Sequence, residues 1–191
     1  MAAASALDLS ALTLGSVVTS GKGAKLAPLT DKGAPVIWAP PGFRGVAFEP
    51  KPYLGGEEKN RVNLVLRASD LEEQLRAIDD WVVSAVATAS EELLGKALSA
   101  EQVRDRYTPL LKESDKYPAT FRLKMNLHGR TATKLWTPEG ARRDAPERWT
   151  ECEIRPLIVF RGVWIMGREF GLLAETSDLK SQEVGQTTCP F

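Results

Sequence analysis

The residues of this chain whose types and spacing could do chemistry are cations and tryptophans. Residues 118–128 (PATFRLKMNLH) put Arg122 and Lys124 on one side of an alternating segment. Residues 130–136 (RTATKLW) put Arg130, Lys134 and Trp136 on one side of the next. Arg142, Arg143 and Arg148 follow in a polar stretch that leads into Trp149, and Arg155 and Arg161 share a face further on. Cations at strand spacing can follow a phosphate backbone. Aromatic rings offer faces on which bases stack whatever the sequence, and a single-strand binder needs both. For each tryptophan the competing role is core packing. Trp164, between Val163 and Ile165, fits that role best, and Trp136 beside Lys134 fits a stacking role best.

Catalytic chemistry has little to work with. His128 is the only histidine, and no spacing brings it to Cys152. One His and two distant Cys, Cys152 and Cys189, cannot make a structural zinc site, which takes four such ligands. The segment Gly15 to Gly23 has five residues between Gly15 and Gly21, and Gly23 follows Lys22, so it fails the phosphate-loop pattern. The neighbours Asp79 and Asp80 diverge by about 100° on a helix and would be solvated. These residues predict no enzyme, no metal and no cofactor.

The elements that must position the cations are strands. In 118–128, Phe121, Leu123, Met125 and Leu127 point one way, and Arg122, Lys124, Asn126 and His128 the other, a period of two. Gly129 then turns the chain into 130–136, so the two segments read as a hairpin. Before them come short strands at Ala34 to Ala39, Gly45 to Glu49 and Arg61 to Ala68. In the last, Val62, Leu64 and Leu66 share one face. Ser69 and Glu72 are spaced as a capping box for a helix carrying Leu71, Leu75, Ile78 and Val82 at helical spacing, and Gly95 suits its end. Ser99 and Gln102 make a second box for a short helix to about Tyr107. After the polar loop 137–148, Trp149 to Arg161 reads as a strand disturbed at Pro156 and turned at Gly162. Val163 to Met166 and Phe170 to Asp178 complete the sheet.

The expected fold is therefore mainly β with an inserted helical segment over 70–107. It suits a small barrel of the oligonucleotide-binding (OB) type, and a β-sandwich with the same insert gives the same string. The expected organisation is an N-terminal arm over 1–33, one β-rich domain over 34–180 and a C-terminal tail over 181–191.

Composition agrees with a globular chain. Hydrophobic residues make up 43% and charged residues 26% of 191 residues, with 25 basic and 25 acidic side chains in balance. A net charge of zero gives no global pull towards DNA or anionic lipid, so binding must come from local segregation. Residues 112–168 hold twelve Lys and Arg against seven Asp and Glu, and residues 61–111 hold six against nine. No apolar run reaches the about 20 residues that cross a bilayer. Two cysteines make no disulfide framework, which predicts an intracellular protein of nucleus or cytoplasm.

Three stretches carry a family likeness: Tyr107 to Lys112 (YTPLLK), Tyr117 to Lys124 (YPATFRLK) and Gly162 to Leu173 (GVWIMGREFGLL). Together they resemble the OB-fold single-stranded DNA-binding proteins of phages and of large DNA viruses of algae, over residues 45–180. In that family a short aromatic-x-Pro-x-x-Lys segment leads into a lysine-bearing strand, and a Trp-bearing strand turns through glycines into the last one. The resemblance implies an OB barrel, no catalysis and sequence-tolerant binding of single strands, and it is compatible with dimers or other homo-oligomers. Arg122, Lys124 and Trp136 match its contact positions. The sequence closes on Pro190 and Phe191, as do tails of replication-type binders that dock partner proteins, although only Asp178 and Glu183 are acidic nearby.

The sequence thus points to binding of single-stranded nucleic acid, DNA first, through Arg122, Lys124, Arg130, Lys134, Trp136, Arg142, Arg143, Trp149 and Arg155. The alternative is a structural or protein-interaction β-domain that self-assembles without nucleic acid.

Overall fold

The computed structural model describes residues 7–52 and 61–184, without the side chains of residues 51 and 52. Residues 53–60, between the second and third expected strands, and the terminal Cys189, Pro190 and Phe191 lie outside the described residues.

Two long strands form the spine. β11 (Cys152–Met166) and β12 (Glu169–Glu183) run antiparallel, reversing at Gly167 with φ of 62°. Along its other edge β11 meets three partners in turn. Gly162 to Ile165 pair with β3 (Lys25–Asp31), Ile158 to Phe160 with β4 (Ala34–Trp38), and Glu153 and Ile154 with β5 (Arg44–Pro52). β5 continues antiparallel to β6 (Arg61–Arg67), and β6 to β9 (Thr120–Asn126). β9 then returns to β12 in parallel. The pairings β5–β6–β9–β12–β11–β5 therefore close on themselves. The short strands β1 (Leu12–Leu14) and β2 (Val18–Thr19) pair with β3, β7 (Tyr107–Thr108) with β12, and β8 (Leu111–Lys112) with β9.

Period two explains this sheet. In β6, Val62, Leu64 and Leu66 are buried between residues facing out, and Phe121, Leu123 and Met125 do the same in β9. They join Ile154, Ile158, Phe160, Phe170 and Leu179 in one core, each such side chain stabilising the fold by about 1.5–3 kcal/mol. Trp38, 2% exposed, stacks on Phe160 at 6.2 Å and is the core tryptophan, whereas Trp164 is half-buried with its ring over Gly171.

The helical insert lies between β6 and β9 and consists of α1 (Glu72–Thr88), α2 (Ser90–Leu94) and α3 (Ala100–Arg104). α1 buries Leu75, Ile78, Val82, Val83 and Val86 at helical spacing. The capping box of Ser99 and Gln102 forms, and Gly95 closes α2 in the left-handed conformation.

Four further expectations are corrected. Ser69 makes no capping box: it sits at φ 48° in a 3-10 turn, and the carboxylate of Asp70 beside it instead takes the buried guanidinium of Arg44 at 2.8 Å. Segments 119–128 and 130–136 make no hairpin. Thr133 caps the end of β9, its amide donating to the Asn126 carbonyl at 2.8 Å and its hydroxyl to the Thr176 carbonyl at 2.7 Å. That bond steers β10 (Lys134–Trp136) onto β12, parallel to it. Gly162 does not turn the chain, because β11 continues through it, with a shift in its pairing to β12 between Phe160 and Gly162. A Cβ there would stand 2.1 Å from the Ala27 carbonyl oxygen, so the glycine is what lets β3 lie across β11. Residues 12–31 contain β1, β2 and β3, and β12 extends to Glu183. Asp79, expected in water, is 5% exposed.

Candidate functional site

The outward face of the closed pairing carries the cations. Opposite the buried row of β9 stand Arg122, exposed, and Lys124, half-buried. Across β6, Val65 is in register with Arg122, and Asn63 with Lys124. Across β12, Lys124 is in register with Glu175. Glu175 is the hub: its side chain is 7% exposed, Arg161 of β11 donates Nε–H to it at 2.8 Å, and Arg61 of β6 meets its other oxygen at 3.2 Å. Both arginines keep about half their surface in water. Arg61, Arg161 and Lys124 thus gather on adjoining strands around one carboxylate, with Arg122 two residues along β9 from Lys124 and acting on its charge.

The electrostatics of Lys124 record this crowding. Its pKa is lowered to about 8, chiefly by burial and then by the charges of Arg122 and Arg61, with Glu175 pulling the other way. Burial accounts for the largest part of that shift, and the smaller part due to Arg122 and Arg61 records a positive field at the site, which favours anions.

The other expected residues lie elsewhere. Arg130 is exposed in the turn after β9. Lys134 and Trp136 face outward from β10 along the far half of β12, in register with Asp178 and Lys180, and Arg155 of β11 is also opposite Lys180. Trp136 is half-buried: its indole N–H donates to Asp178 at 2.8 Å, and the Arg142 guanidinium lies 4.9 Å from its ring centre. Arg143 donates to the Ser181 carbonyl at 3.1 Å. Trp149 packs against the core from a 3-10 turn over Trp149–Glu151, whose amides at Trp149 and Thr150 are held by Glu49 of β5. The structure therefore brings Arg122 and Lys124 together, places Lys134, Trp136, Arg142 and Arg155 in a second group, and uses Trp149 in packing.

Residue spacing does not single out Arg61 or Glu175. The alternation of β6 already places Arg61 opposite Val62, but nothing in the sequence says that β6 and β12 flank β9.

Among the described residues no group of His, Cys, Asp and Glu could hold a metal ion. Cys152 is buried, and burial pushes its thiol pKa up, the wrong direction for a nucleophile. Among the described residues no helix is long and apolar enough to cross a membrane.

No protein-family model matches the chain, and no curated protein matches it. Among solved structures, the chain is similar to the single-stranded DNA-binding protein from bacteriophage Enc34 in complex with ssDNA, at 12% identity and TM-score 0.48, over 91% of this chain and 97% of that one. A second structure of that phage protein is similar at 13% identity and TM-score 0.45, over 92% and 95% of the two chains. Its C-terminal truncation is similar at 10% identity and TM-score 0.46, over 93% and 97%.

Proposed function

We propose that this chain binds single-stranded nucleic acid, DNA in the first place, without catalysis, and that its closed strand pairing is a barrel of the OB type. The observation that carries the reading is the cluster of Arg61, Arg161 and Lys124 at Glu175, with Arg122 beside Lys124. The parallel return of β9 to β12 beside otherwise antiparallel neighbours supports the barrel. Arg122 is exposed and Arg61 and Arg161 keep about half their surface in water, so a flexible phosphate backbone can reach their charges on this sheet face. A duplex presents a stiff cylinder to the same face and meets fewer of these cations at once.

The test is fluorescence anisotropy of a labelled mixed-sequence single strand at low and moderate salt, with duplex as competitor. Binding that prefers single strands and falls steeply with salt is expected, because each neutralised phosphate of a single strand adds about 0.7 to the slope of log K against log salt. Absence of binding at low salt sinks the reading and leaves the cations as an assembly surface, which mass measurement in solution would reveal.

A further inference from the structure

The geometry points to Phe48 of β5 as the residue on which a nucleobase stacks, beside the cations that hold the phosphates; this inference rests on the function proposed above. In an unbroken strand Phe48 would follow Val46 into the core, two residues on and on the same face. Val46 is indeed 4% exposed, yet Phe48 is 62% exposed. The cause is a shift in pairing. Val46 is in register with the inward Leu66, whereas Phe48 is in register with the outward Val65, and the register slips again between Phe48 and Lys51. Two irregularities thus bracket one phenylalanine and turn its ring to water. A bulge that re-aims a single side chain is a recurrent feature of functional edges.

What surrounds the ring identifies its ligand. Phe48, Val65 and Arg122 stand in one cross-strand row on β5, β6 and β9. Neighbouring strands are about 4.8 Å apart, so Phe48 and the guanidinium-bearing strand are separated by about 10 Å. The adjacent row carries Asn63, Lys124 and Glu175, the last holding Arg61 and Arg161. An apolar ring next to a cationic stripe suits a ligand that is both flat and apolar on one side and anionic on the other, which describes a nucleotide. A partner protein's apolar surface would gain nothing from the surplus of positive charge. The single strand would then cross β5, β6, β9, β12 and β11 in that order or its reverse.

The experiment compares an oligothymidine with a strand of equal length and charge made of abasic sites, using wild type, Phe48→Ala, Phe48→Leu, Phe48→Trp and, as a charge control, Lys124→Ala. Phe48→Ala should weaken oligothymidine binding by about 5- to 100-fold and leave the abasic strand unaffected. Phe48→Trp should restore or improve it, Phe48→Leu should not restore it, and Lys124→Ala should weaken both strands alike. The exposed ring supports no core contact, so thermal midpoints of the Phe48 variants should match wild type. If wild type binds neither strand, the underlying reading falls. If wild type binds but Phe48→Ala costs nothing, costs the same on both strands, or is rescued by leucine, stacking at Phe48 is overturned while that reading stands. A change in oligomeric mass with unaltered affinity also overturns it, in favour of a contact between copies.

Discussion

Lys124 stands opposite Glu175 in the parallel pairing of β9 with β12, and still its ammonium pKa is pulled down to about 8 by burial and by Arg122 and Arg61. Glu175 pulls the lysine pKa upwards, and burial together with the two arginine charges outweighs it. A pH dependence follows. Between about pH 8 and the unfolded lysine value near 10.5 the unfolded chain holds the extra proton, so stability rises with pH across that window and the cost of the charged lysine is fully felt below it. Binding runs the opposite way. An added phosphate raises the lysine pKa, so above about pH 8 binding takes up a proton and weakens as pH climbs. Lys124→Arg, charged throughout, should flatten that decline in an anisotropy series from pH 7 to pH 10.

Glu175 restrains the same arginines that would grip phosphate. Its replacement by Gln keeps the shape and removes the charge, releasing Arg61 and Arg161, each half in water already. Because both guanidinium groups remain hydrated, the stability cost should be near 1 kcal/mol, as for other partly exposed ion pairs. Single-strand affinity at low salt should rise, with the salt slope steepening by about 0.7 for each arginine freed onto a phosphate. Paired urea melts and salt titrations of Glu175→Gln read both quantities, and weaker binding at low salt would show instead that the carboxylate holds the arginines in their working pose.

How much of this could be read from the sequence depends on the range of the interaction. Alternation within β6 and β9, the helical stripe of α1 and the Ser99–Gln102 box are local, and each appears where residue spacing placed it. Pairing is not local. Arg61 and Arg161 meet at Glu175 only because β6, β9, β12 and β11 are consecutive neighbours, and no spacing encodes that order. Trp136 looked available because Lys134 shares its face; the Thr133 bond that swings β10 onto β12 and the fold of Arg142 over the ring are long-range facts. Phe48 was hidden for the opposite reason. A slip of one residue in the β5–β6 register reverses the face on which it stands, and period two alone assigns the wrong side.

Trp136 should then matter to stability more than to binding. Its N–H is engaged by Asp178, and Arg142 covers one face of the indole. Trp136→Phe keeps a ring and loses the hydrogen bond, at a cost of about 0.5–1.5 kcal/mol. Single-strand affinity should stay close to that of wild type, in contrast to Phe48→Ala. A large loss of affinity with an unchanged urea midpoint would place Trp136 in the interface after all.

Asp79 joins the helical insert to the sheet. From the buried side of α1 it accepts the Tyr107 hydroxyl at 2.5 Å and the amides of Leu110 and Leu111 at 2.9 and 3.0 Å, at the start of the segment leading to β8 and β9. Burial raises its pKa, the three donors opposing that shift without overcoming it, and the Tyr107 phenol is pushed up by its own burial first and then by the Asp79 carboxylate. Asp79→Asn leaves one acceptor oxygen for three donors and turns its own N–H groups towards them. A loss of about 1–3 kcal/mol is expected, the cost of stranding buried donors. The linkage sign is set by the raised value: the native state binds the proton more tightly than the unfolded state, so this group's contribution is present below the unfolded pKa and is lost as pH rises through the folded one. The gap between wild type and Asp79→Asn should therefore widen as pH falls towards about 4, measured as the difference in urea midpoints. A gap that narrows towards acid would mean that the three donors hold the carboxylate ionised and that hydrogen bonding, not burial, governs Asp79.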